Sequence, residues 1–336
     1  MALSRRLLFP LIAFIPLFTI ALAGCDTRTG DGPPSTSPSI TIVTTTPMLG
    51  DMARRIGGET AQVTSLLGEG VDPHLYKPTR TDIATLLDAD VIVTNGLFLE
   101  GRMQDSFERA VAAGRTVINI GASIPADELL NPPAHGEAEA HPDPHIWMDP
   151  ELWGRCGAIL AEGLSKHDPS DADGYRRRAG EFAALAAELG TNAQTAIDSI
   201  PKARRELVTA HDAFGYFGRR FTLTVHAIQG ISTESEAGLA DLERLVQFLV
   251  ERKIPAVFVE STVSPRTIEA LIAGAKAQGH NVQIGGELYS DSMGAPGTTE
   301  GTWPGMIAHN VETIVTALGG TVPAGGVLPK GLRDER

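Results

Sequence analysis

The 336-residue chain carries only two cysteines, Cys25 and Cys156. No disulfide framework can hold it, so its stability must rest on packing. Basic charge is also in deficit: 28 Lys and Arg stand against 41 Asp and Glu, a net charge of −13. A surface of that sign argues against nucleic acid as a partner and favours attraction of cations. Metal ligands at the short, fixed spacings that can be read directly from a sequence are missing as well. A spanning helix needs roughly 20 uninterrupted apolar residues, and the run Leu7–Ala23 is short and broken by Pro10 and Pro16.

That run instead reads as an export signal. Arg5 and Arg6 precede it and small residues end it, as a cleavage site requires. Leu22-Ala23-Gly24-Cys25 resembles a bacterial lipobox. Residues 1–24 are therefore expected to be a lipoprotein signal peptide, with Cys25 acylated and left as the new N-terminus on the periplasmic side of the cytoplasmic membrane. Each buried methylene of such an anchor contributes about 0.8 kcal/mol. Cleavage removes two arginines and no acid, leaving the processed chain more acidic still. Residues 25–39 are rich in Gly, Pro, Ser and Thr, cannot bury a core, and read as a flexible tether.

From Ile40 onward, β-rich apolar runs alternate with helical patterns. Strands are expected at 40–44, 61–67, 90–95 and 116–120, with helices at 48–56, 81–87 and 98–113. The rhythm returns after residue 200, with strands at 205–210, 221–228, 255–260 and 281–285 and helices at 239–252, 265–278 and 305–318. Such alternation predicts an α/β fold of two lobes, each a mostly parallel sheet flanked by helices. Between the lobes, Tyr175, Phe182, Leu185, Leu189, Ala193, Ala196 and Ile200 recur on one helical face. Asp168-Pro169 supplies a start signal, and Gly180 and Gly190 weaken the interior by about 1 kcal/mol each. One long rigid helix joining the lobes is the expectation. The organisation is then an N-terminal lobe at 40–167, a linking helix at 168–200, a C-terminal lobe at 201–325 and a tail at 326–336.

Of nine histidines, His167, His280 and His309 read as exposed, and His226 as a core histidine in an apolar strand. Three others stand in unusual surroundings. His74 lies in Asp72-Pro-His-Leu-Tyr-Lys-Pro-Thr79 and His145 in Asp143-Pro-His-Ile-Trp-Met-Asp-Pro150. Proline fixes its own φ and holds the preceding residue extended, so the imidazole that follows has little loop freedom, as ligation demands. Asp72 or Asp143 could orient its ring through the second nitrogen. His211 follows a predicted strand, where a side chain points into the usual ligand crevice of an α/β sheet. Asp291 also follows a strand, a place where a lone aspartate usually caps a helix. The four are separated by 71, 66 and 80 residues. Spacing permits a site built from four loops without requiring one.

Taken together, these segments resemble the metal-binding solute-binding proteins of zinc/manganese ABC importers, the TroA-like group. Ala210-His-Asp-Ala-Phe-Gly-Tyr-Phe217, Gly230-Ile-Ser-Thr-Glu234, Phe258-Val-Glu-Ser261 and Leu288-Tyr-Ser-Asp-Ser-Met-Gly294 complete the match, over about residues 40–320. The resemblance implies that His74 and His145 of the first lobe and His211 and Asp291 of the second ligate one divalent ion, zinc or manganese, as transported cargo. It implies no enzyme activity, and a permease and ATPase on separate chains around a monomeric carrier. The absence of a G-x-x-x-x-G-K-S/T pattern agrees, because the chain itself then hydrolyses no ATP. His211, where several manganese-type relatives hold glutamate, tilts the set toward zinc or mixed zinc and manganese use. The short loop with His135 and His141, in place of a long His-rich one, tilts it back and reads as a solvated loop. A metal-dependent phosphohydrolase and a surface adhesin are the rival readings. The first is disfavoured because such enzymes are helical, and the second has no host ligand in view.

Overall fold

The computed structural model describes residues 40–131 and 141–333. The signal peptide, Cys25, the tether and His135 lie outside them. Strand β1 (Ile40–Thr44) leads to α1 (Pro47–Gly57), whose N-terminus is capped by Thr46 and opened by a proline at the first turn. Strand β2 (Ala61–Ser65), helix α2 (Arg80–Asp88), β3 (Val91–Thr94), α3 (Gln104–Ala112) and β4 (Thr116–Asn119) follow. These strands form one parallel sheet in the order β2-β1-β3-β4. All four residues of β3 are buried, as expected of a strand covered on both faces.

Two helices then pack side by side, α4 (Pro150–His167) and α5 (Ala172–Asp198). The buried face of α5 reads Tyr175, Ala179, Phe182, Ala186, Leu189 and Ala193, a spacing of three and four. Its alanines let α4 come close: a Cβ on Gly154 would lie 3.0 Å from that of Ala186. At 1.5 Å per residue α5 is roughly 40 Å long. It backs both halves of the molecule, touching α1 on one side and α9 (Trp303–Ala317) on the other.

The second lobe contains β5 (Glu206–His211), α6 (Gly215–Phe221), β6 (Thr224–Gln229), α7 (Leu239–Arg252), β7 (Ala256–Glu260), α8 (Arg266–Ala277) and β8 (Gln283–Leu288). Its strands pair in parallel as β5-β6 and β7-β8. Strands β5 and β7 run alongside each other without joining into one ladder. A continuous core runs through both lobes, from Ile42 on β1 through Trp147, Trp153 and Phe182 to Phe217, Phe258 and Trp303. The two-lobe α/β architecture and the long helix therefore match the expectation. No helix among the described residues is long and apolar enough to cross a membrane.

Four local expectations need correction. The helix expected at 98–113 begins only at Gln104, because Gly96, Leu97 and Phe98 all have positive φ. Left-handed geometry costs a non-glycine residue roughly 1–2 kcal/mol. Buried Glu100 offsets that strain by accepting from Thr45 Oγ1, Asn95 N and Gly96 N. Phe221 closes α6 and does not open a strand, since Phe214, Phe217 and Phe221 form a helical face in the core. His226 is only half-buried and meets Glu206 at 2.9 Å. His280 and His309 are half-buried too, each bonded to a backbone carbonyl, of Ile254 and Glu287. Near the C-terminus, Val327 and Leu328 are buried, with Asn192 of α5 donating to the Val327 carbonyl.

Candidate metal centre

Each of the four singled-out residues leaves the carboxyl end of a strand or the loop beyond it. His74 sits in the loop between β2 and α2, His145 between β4 and α4, His211 at the last position of β5, and Asp291 three residues past β8. That is where ligands gather in an α/β sheet. The fold brings all four together. One donor atom from each lies within 4.8 Å of the others, and all four residues are buried.

The distances describe a cage. His74 Nε2 and His145 Nε2 are 3.4 Å apart. Asp291 Oδ2 lies 3.2 Å from His211 Nε2 and 3.6 Å from His74 Nε2, and its Oδ1 lies 3.3 Å from His145 Nε2. A tetrahedral zinc site with bonds of 2.0–2.1 Å has edges of about 3.3 Å. His211 Nε2 and both Asp291 oxygens have no hydrogen-bond partner although fully buried. Buried polar atoms without partners are costly, and these belong to the one cluster. The residues fit a cation.

Carboxylates behind the cage set the rings. Asp143 Oδ1 accepts from both the backbone N–H of His145 (2.9 Å) and its Nδ1 (2.8 Å). Glu260, the last residue of β7, does the same for His211, at 2.8 Å to the N–H and 2.5 Å to Nδ1. With Nδ1–H donated backward, the Nε2 lone pair faces the centre. Asp72 differs from the expectation: it takes the backbone N–H of His74 at 2.8 Å and leaves the ring alone. Gly215 matters here because a Cβ at that position would meet Asp143 Oδ2 at 2.7 Å, while Tyr216 donates to the Asp143 carbonyl. Asn95 secures the same loop by donating to the Pro144 carbonyl.

Burial pushes His74 down to about 3, against the weaker pull of Asp291. Burial would also lower His145, but the charges of Asp143 and Asp291 outweigh it and raise this ring to about 9. His211 is raised well above its ordinary value, where burial is overcome by Glu260 and Asp291. Asp291 is held well below the carboxylate range because His211 and His145 outweigh its burial. Ligation takes the neutral imidazole, so a cation at this centre would compete with protons for these rings.

The chain as a whole has known relatives. Residues 42–317 match the family described as ZnuA, zinc-uptake complex component A periplasmic. The chain belongs to this family. It is 42% identical over 308 residues to the manganese-binding lipoprotein MntA of Bacillus subtilis, covering 92% of this chain and 98% of that protein. Against the zinc-binding protein TroA of Treponema pallidum the identity is 41% over 277 residues, covering 82% and 88%. The solved structure of the periplasmic zinc-binding protein TroA from Treponema pallidum aligns with a TM-score of 0.78 at 40% identity, over 83% of this chain and 99% of that one. The resemblance to TroA-like proteins read from the sequence is thereby established. Glu260, which holds His211, is the residue at this cluster that sequence reasoning leaves without a role. Its signal was a single acid ending an otherwise apolar strand, Ala256-Val-Phe-Val-Glu260.

Proposed function

We propose that the chain captures one divalent transition-metal ion, zinc or manganese, outside the cytoplasmic membrane and delivers it to an ABC-type importer. The observation that carries this reading is the buried convergence of His74, His145, His211 and Asp291, with three donor atoms lacking any other partner. Three imidazoles and a carboxylate form a donor set of intermediate softness. Zinc favours it by intrinsic affinity, and manganese gains from a second carboxylate oxygen. Both oxygens of Asp291 face the cage, so this residue serves as one donor or two. Family membership and the zinc- and manganese-binding relatives support the same cargo.

Four protein donors in a buried centre favour carriage over hydrolysis, which needs an open position for water beside a general base. The first two ligands belong to the lobe at 40–167 and the last two to the lobe at 201–325. The segment 168–200 serves as a rigid back between them, so a bound ion pins the halves together and marks the loaded form for the permease. Cys25 anchors the monomeric carrier by its lipid, residues 25–39 give it reach, and permease and ATPase are separate chains.

Elemental analysis of the protein purified from its own cells, beside competitive titration with zinc and manganese, tests the proposal. One equivalent of metal, lost in His211→Ala with the fold retained, is the expected result. A chain that carries no stoichiometric metal and binds neither ion in solution would remove the proposal.

A further inference from the structure

On the buried side the lobes share one core. Trp147 Nε1 donates to the Ser290 carbonyl and Trp303 Nε1 to the Trp147 carbonyl, each at 2.9 Å, within the shared core. Near Asp291, Ser292 Oγ accepts from Gly70 N at 3.1 Å and donates to the Gly68 carbonyl at 3.2 Å, holding the start of the His74 loop. The other end of that loop is held differently, by the segment between β6 and α7. Thr233 Oγ1 donates to Asp72 Oδ2 at 2.6 Å, and Arg102 Nε donates to Glu234 Oε1 at 2.7 Å. Arg102 also reaches the Leu75 carbonyl, next to His74.

Asp72 spends its two oxygens on two tasks. Oδ1 takes the backbone N–H of His74, and Oδ2 takes the hydroxyl from the opposite lobe. His74 is also the ligand that most needs such help. It is the one ring of the three whose Nδ1 meets no carboxylate among the described residues, and the one not wholly buried, at 5% exposed against 0% for His145 and His211. Its place is set through its backbone.

We propose that Asp72 and Thr233 form a clasp across the cleft, so that seating of His74 on the ion and closure of the second lobe over it are one event. Both are positioning residues: they touch no ion and act through the His74 backbone. The Arg102–Glu234 pair reinforces the clasp from outside. Its side chains are 34% and 49% exposed, and exposed pairs contribute little. The clasp governs how long the ion stays more than how fast it arrives, because its partners meet only after the lobes approach.

This inference rests on the metal-capture reading, and its test separates the two. The zinc-loaded chain is mixed with excess chromophoric chelator in a stopped-flow instrument, and release is compared for wild type, Thr233→Val and Thr233→Ser. Loss of one hydrogen bond to an ionised acceptor predicts about tenfold faster release from Thr233→Val, with zinc association within about twofold of wild type. Thr233→Ser keeps the hydroxyl and releases zinc at the wild-type rate. Arg102→Glu accelerates release by about threefold or less, and the exchange Arg102→Glu with Glu234→Arg restores it. A wild-type rate in Thr233→Val, or equal acceleration in Thr233→Val and Thr233→Ser, overturns the clasp while leaving capture intact. A wild-type chain that never holds zinc overturns both.

Discussion

Replacing Glu260 by glutamine removes one charge and leaves the shape of the side chain unchanged. In the native centre its carboxylate accepts twice from His211, at the backbone N–H and at Nδ1, in surroundings where both side chains are fully buried. Glutamine can accept with only one atom. If its oxygen meets the ring, its NH2 group faces the backbone N–H; if the order reverses, the ring must move its proton to Nε2 and lose the lone pair aimed at the ion. A buried donor left facing a donor costs about 1–3 kcal/mol. Partners behind a metal-ligating histidine are worth about 10–100-fold in affinity, or roughly 1.4–2.8 kcal/mol, so the two routes agree. Competition against a chelator of known affinity should therefore show Glu260→Gln binding zinc about 10–100-fold more weakly, with an unchanged circular dichroism spectrum. Binding within twofold of wild type would refute the claim that Glu260 fixes the tautomer and position of His211.

Gly215→Ala should weaken metal binding by about tenfold without unfolding the chain, because its Cβ displaces the Asp143 carboxylate 2.7 Å away that orients His145; the same titration checks it, and wild-type affinity would contradict it. Asp90 is held below the usual carboxylate range by the backbone N–H and hydroxyl of Thr41, at 2.8 and 2.7 Å. A carboxyl lowered on folding adds stability above its unfolded value of about 3.9 and loses it as pH falls through the lower folded value. Asp90→Asn should cost about 1 kcal/mol at neutral pH after allowance for partial exposure. In urea melts that gap should narrow as pH falls below the unfolded carboxylate value, and an equal gap at neutral and acid pH would count against the assignment. Cys156 is fully buried, and burial pushes its thiol up to about 12. The thiolate is the reactive form, so in a Cys25→Ser chain the remaining thiol should resist Ellman's reagent until the protein is denatured. Prompt reaction of the native chain would show that α4 is less tightly packed than described.

The strand–helix rhythm and the buried face of α5 were legible because burial imposes periods of 2 and 3.6 on the residues. Where sequence reading slipped, a tertiary contact had overruled a local pattern. Phe98 looks like a helix residue, yet it follows Gly96 and Leu97 in positive-φ geometry, in a turn where buried Glu100 accepts from the Asn95 and Gly96 N–H groups. Asp168-Pro169 reads as the start of the long helix but opens a 3-10 turn, with α5 beginning at Ala172. The same Asp-Pro signal at Asp149-Pro150 opens the 18-residue α4, and there Asp149 does cap the backbone. Around the centre, His74 and His145 were marked by their Asp-Pro neighbours and His211 by its strand end, whereas Asp291 stood out only through resemblance. Glu260 shows only as the acid that ends an apolar strand and Thr233 carries no local signature, because their partners lie 49 and 161 residues away in sequence.

The most direct test is anomalous diffraction from crystals of the chain grown with zinc or with manganese. A single strong anomalous peak should lie between the lobes, within about 2.0–2.2 Å of Nε2 of His74, His145 and His211 and of an Asp291 oxygen for zinc. A peak bound elsewhere, or density in which any of those four side chains turns away from the ion, would contradict the proposed centre.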